Sequence, residues 1–145
     1  MVVVERSGSH LRHWQATFTA TPAEVPVARR QVRSVLRQWG WEGDAADDLV
    51  SICSELVANA VRHGSRPHDD VDVRLRQSSE GVRVEVVDRR PDLALPAGPI
   101  AQDESGRGLA IVNALADRAG TTTTGTTKTV WARLALTTDG TRKPS

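Results

Sequence analysis

The feature that most limits this chain is a change of hydrophobic period, from two to about 3.6, back to two, and round again. From His13 to Ala20 the residues Trp14, Ala16 and Phe18 alternate with Gln15, Thr17 and Thr19, the pattern of a half-buried strand. From Val25 to Trp39 the apolar residues Val25, Ala28, Val32, Val35, Leu36 and Trp39 recur at helical spacing. Thr21-Pro22-Ala23-Glu24 predicts the start of that helix as a capping box with proline in its first turn, and Gly40 predicts its end. A second helix is predicted from Asp44, with Leu49, Ile52, Cys53, Leu56, Val57 and Ala60 as its apolar stripe and Gly64 and Pro67 as its stop. Period two then returns in Val71, Val73, Leu75 and in Val82, Val84, Val86, joined through Ser79-Glu80-Gly81 as a hairpin. After an aperiodic stretch from Arg89 to Ser105 comes a third helix, Gly108 to Arg118. Two short strands follow, Thr121–Thr124 and Val130–Leu136, around Gly125-Thr126-Thr127-Lys128. Strands in hairpins with grouped helices specify an α+β fold, a two-layer sandwich with a mixed, mostly antiparallel sheet covered on one face by about three helices.

Composition sets the outer limits. The 145 residues suit a single domain, 1–145, with its core at about 14–136 and loose tails at 1–12 and 137–145. A chain of this length buries roughly 70% of its unfolded surface, so no staple is needed. Nineteen basic residues against 18 acidic ones give a net charge of +1, which argues against a protein that coats nucleic acid. The one cysteine excludes an internal disulfide framework and a cysteine zinc site. No apolar run approaches the roughly 20 residues of a membrane span, and Val2-Val3-Val4 is too short for a signal core, so the expected compartment is the cytoplasm.

Four local patterns can carry chemistry. Glu55, Asn59 and His63 are spaced by four along the margin of the second helix's apolar stripe. An amide oxygen there suits a hard cation such as Mg²⁺, and a carboxylate one turn earlier can accept a proton from a nucleophile; a plain polar flank is the other reading. Asp88 ends the strand Val82–Val87, where a carboxylate can accept hydrogen bonds from the amino group of a base, or simply serve a turn. Ser105-Gly106-Arg107-Gly108-Leu109 opens the third helix, where amide hydrogens and the helix dipole favour an anion. Thr129, near the last hairpin, can offer a hydroxyl to a purine if its strand lies beside that of Asp88. Cys53 reads as a buried, inert thiol. The arginines of the first helix (Arg29, Arg30, Arg33, Arg37) read as a solvated face or a dock for an acidic partner. Trp39 and Trp131 read as packing residues, and Trp41 as a residue that can be exposed for a partner.

In order and spacing the four patterns resemble the GHKL, or Bergerat-type, ATP-binding superfamily, and within it the anti-sigma-factor serine kinases and their actinobacterial relatives. The resemblance rests on Glu55-Leu56-Val57-Ala58-Asn59-Ala60-Val61-Arg62-His63-Gly64, Val86-Val87-Asp88, Glu104-Ser105-Gly106-Arg107-Gly108-Leu109-Ala110-Ile111-Val112 and Lys128-Thr129-Val130-Trp131. It implies that Asn59 coordinates the Mg²⁺ on the ATP phosphates and that Glu55 is the general base for a substrate serine. It implies that Asp88 binds the adenine amino group, that Ser105, Gly106, Arg107, Gly108 and Leu109 form the phosphate lid and the helix behind it, that Thr129 lies near adenine, and that His63 stands beside the nucleotide. The implied partners are a sigma factor, which the protein sequesters, and an anti-anti-sigma protein, which it phosphorylates; relatives often form homodimers, and neither nucleic acid nor membrane is a direct partner. Two positions depart from the family pattern. Arg89-Arg90-Pro91 follows Asp88 where a glycine is usual, and Glu104 precedes the lid where a basic residue is common. These departures favour the alternative of a nucleotide-gated regulatory binding module with little or no kinase activity.

Overall fold

The computed structural model describes residues 2–5, 11–64, 66, 68–89 and 108–135. In chain order the elements are β1 (Val2–Glu5), β2 (Arg12–Thr19), α1 (Glu24–Gln38), α2 (Gly43–Asn59), a π-helical turn (Ala60–Gly64), β3 (Asp70–Ser78), β4 (Gly81–Asp88), α3 (Gly108–Leu115), β5 (Arg118–Thr124) and β6 (Thr127–Leu134). The strands form one sheet in the order β1-β2-β3-β4-β6-β5, and every neighbouring pair is antiparallel. The fold is therefore α+β as the periodicity predicts, and among the described residues all strand pairing is antiparallel.

Alternation decides what each face of the sheet does. Trp14, Ala16 and Phe18 of β2, Val71, Val73 and Leu75 of β3, Val82, Val84 and Val86 of β4, and Val130, Ala132 and Leu134 of β6 are all buried. They meet Ala28, Val32 and Leu36 of α1, Leu49, Ile52, Cys53, Leu56 and Val57 of α2, and Val112 of α3 in one core. The opposite face carries the intervening residues, and it is basic. The Glu85 carboxylate there is approached by Arg83 Nε at 2.8 Å, Arg76 Nε at 3.3 Å and Arg74 Nη1 at 3.9 Å. The Arg83 guanidinium also lies 4.1 Å from the centre of the Trp131 ring, which places Trp131 on this face rather than in the core. Thr17 Oγ1 donates to Asp72 Oδ1 at 2.8 Å across β2 and β3.

The first dozen residues are not wholly loose. Val2–Glu5 pair with β2 from Val2 opposite Gln15 to Glu5 opposite Arg12, as a β-branched run beside an unpaired strand edge favours. The predicted capping box at the head of α1 does not form. Ala23 is the cap residue, no side chain caps it, and the entry is closed by backbone bonds from Glu24 N to Thr21 O (3.0 Å) and Val25 N to Pro22 O (3.2 Å). The other end follows expectation. Gly40 takes a positive φ of 91°, its N–H donates to Arg37 O at 3.0 Å, and Trp41 N–H donates to Leu36 O at 2.8 Å, which is a Schellman closure. That closure turns Trp41 inward, where it is buried and its Nε1–H donates to Gln77 Oε1 at 2.8 Å. Trp41 is thus a core residue and not a partner contact.

Candidate nucleotide site

The elements that bear the predicted residues are neighbours. α2 packs on β4, β6 and α3, and the π-helical turn packs on β4. Asn59 closes α2 and is 5% exposed, a buried amide at a helix end. Glu55, one turn earlier, is partly buried. The helix widens to π geometry from Ala60, so the even four-residue stripe predicted from Glu55 to His63 breaks after Asn59. His63 falls within that turn, and its side chain lies outside the described residues, as do Ser105, Gly106 and Arg107. Gly108 and Leu109 are the first two residues of α3, so the predicted loop-to-helix junction is where the sequence places it.

Asp88 ends β4 on the helix-covered face, in line with Val82, Val84 and Val86, and is 1% exposed. Its cross-strand partner is Lys128, also 1% exposed, with Nζ 3.4 Å from Asp88 Oδ2. Thr129 stands opposite Val87 and therefore points to the other face of the sheet. β6 does lie beside β4, as a role for Thr129 requires, but the residue it brings to Asp88 is Lys128.

Lys128 was placed by sequence in the turn between the last two strands. The turn is only Gly125-Thr126, and the pairing of Thr124 with Thr127 extends both strands. The signal was present: counting back by two from Leu134, Ala132 and Val130 lands on Lys128. A cleft of about 500 Å³ elsewhere, lined by Arg12, His13, Arg76, Arg83 and Arg133 among others, includes neither Asn59 nor Asp88.

A buried amide at a helix end and a buried carboxylate at a strand end, on packed neighbours beneath one helical layer, suit a nucleotide held between helix and sheet. Comparison with known proteins agrees. Residues 18–134 match the family described as histidine kinase-like ATPase domain. The chain belongs to that family. The match takes in the last two residues of β2 and every element from α1 onward, so ATP binding is the shared property the fold brings. The crystal structure of the RsbU and RsbW domains of Rv1364c from Mycobacterium tuberculosis is similar, with a TM-score of 0.64 and 25% sequence identity over 92% of this chain. This chain spans 34% of that one, about a third of its length. No curated protein sequence matches the chain. Among the described residues, no helix is long and apolar enough to cross a membrane.

Proposed function

We propose that this protein binds Mg·ATP against α2 and acts as an anti-sigma-type serine kinase, holding a sigma factor and phosphorylating a serine of an anti-anti-sigma partner. The observation that carries this reading is the joint burial of Asn59 and Asp88 on packed neighbours, inside a chain that belongs to the histidine kinase-like ATPase family. The likeness to a chain that contains an RsbW domain supports the regulatory part. The donor set suits the ligand. The Asn59 amide oxygen is a neutral, hard donor of the kind Mg²⁺ takes singly while keeping most of its waters. The Asp88 carboxylate accepts from an amino group. Glu55, only partly buried, takes the proton from the serine Oγ as that oxygen bonds to the γ-phosphorus and ADP leaves. The lid residues Ser105, Gly106 and Arg107, followed by Gly108 and Leu109 at the start of α3, supply backbone amides and one guanidinium to the phosphates. The phosphoserine gains close to two negative charges, which loosens the partner's grip and leaves the kinase free for sigma.

Transfer of label from ATP to candidate partner proteins tests this directly. Transfer that is lost in Glu55→Ala, with Mg·ATP binding retained by calorimetry, is the expected result; absence of Mg·ATP binding overturns the reading. A second reading, a nucleotide-gated binding module without turnover, is favoured by the ion pair that already engages Asp88. Binding without transfer to any partner selects it.

A further inference from the structure

Lys128 is one of the largest fully buried side chains in the protein. An ammonium removed from water costs several kcal/mol unless a counter-charge compensates it. Its long stem cannot reach solvent from this strand position, since the side chain is 2% exposed. Asp88 Oδ2, at 3.4 Å, supplies such a counter-charge. The neighbouring residues on the same face of β4 and β6, Val86 and Val130, are apolar. In the proposed nucleotide site, Asp88 is also the acceptor for the amino group of adenine. An ammonium and an aromatic amino group both donate N–H, and both address this one carboxylate. The carboxylate is ionised against either donor, and the ammonium adds a full positive charge that the amino group lacks, so the internal donor holds the stronger position.

We propose that Lys128 is a built-in competitor for the amino-group position on Asp88 and sets how tightly this protein takes a 6-aminopurine nucleotide. This rests on the nucleotide reading above. Adenine enters as Lys128 moves off the carboxylate, so part of the gross binding free energy is consumed in separating a buried ion pair. A 6-oxopurine carries no amino group at that position and has no such contest with Lys128. Lys128 is therefore a specificity-determining residue, and its removal favours ATP over inosine triphosphate.

The experiment is calorimetric titration of the folded chain with Mg·ATP and, separately, with magnesium inosine triphosphate. Wild type is compared with Lys128→Met, which keeps the length of the side chain and removes its charge, and with the milder Lys128→Gln. The readout is the ratio of ATP to inosine triphosphate affinity, because any attraction of the ammonium for phosphates cancels between the two ligands. The ratio is expected to rise by about tenfold or more in Lys128→Met, equivalent to ~1.4 kcal/mol, and by a smaller factor in Lys128→Gln. Where Lys128→Met does not fold, a rise in Lys128→Gln alone supports the proposal and an unchanged ratio overturns it. Wild-type ATP binding with an unchanged ratio in the folded variants removes Lys128 as competitor and leaves the nucleotide reading standing. No binding of either nucleotide by any form removes both.

Discussion

At the scale of single residues, the site depends on which polar side chains the core accepts. Asn59 and Asp88 are buried although both sequence patterns also allow ordinary roles, a polar helix flank for one and a turn for the other. Burial takes both side chains out of solvent, where a polar group left without a partner costs free energy that a surface position avoids. Asn59→Asp exchanges a neutral side chain for an anion at the proposed metal position. We expect it to change affinity for Mg·ATP more than affinity for metal-free ATP, measured by titration with and without chelator; equal changes would remove Asn59 from the metal. Asp88→Asn is expected to weaken ATP binding while the chain still folds, checked by melting and titration together. It leaves Lys128 buried without its carboxylate, so a lower melting temperature accompanies the loss. The inward position of Asp88 was legible as the last such position of an alternating strand. The buried position of Lys128 was not read, because glycine and three nearby threonines drew the turn over it.

At the scale of elements, helix ends and turns separate what local chemistry specifies from what packing overrides. The end of α1 was legible because a glycine at positive φ is a strong stop signal, and the structure closes there with two backbone bonds. Its start was misread because Thr21 makes backbone contacts instead of capping with its hydroxyl. Thr21→Ala should therefore shift unfolding free energy by no more than about 0.5 kcal/mol, against about 1 kcal/mol for a true cap, in a denaturant titration. Gly81 has the opposite prognosis. Its φ is 135°, and an added Cβ would collide with the backbone of Leu134 and Ala135. Gly81→Ala is expected to cost more than about 1 kcal/mol, because the end of β6 must move away from the start of β4. The π-helical turn after Asn59 was invisible to a pattern that assumes 3.6 residues per turn throughout.

At the scale of the whole molecule, one sheet with helices on one side divides the chain into a dry half and a basic open half. Cys53 measures how well the dry half is closed. Burial pushes its thiol from the ordinary value up to about 12, and the charge of Arg29 offsets that only in part. The folded state therefore holds the thiol proton more tightly than the unfolded chain does. That contribution to stability is complete below the unfolded thiol's pKa near 9.0 and is lost as pH rises towards about 12. Unfolding midpoints should fall across that interval in the wild type and fall less in Cys53→Ala, and alkylation of Cys53 at neutral pH should proceed only as fast as the core opens. The sequence by itself determined the types of the main elements from β2 to β6, the hydrophobic faces, the order of the site motifs and the family they resemble, because periodicity and glycine placement act over a few residues. Only the tertiary structure decided that β6 lies beside β4 in the register that sets Lys128 against Asp88. That register follows from packing two distant strands under the same helices, and a shift of one residue would have presented Thr129 instead.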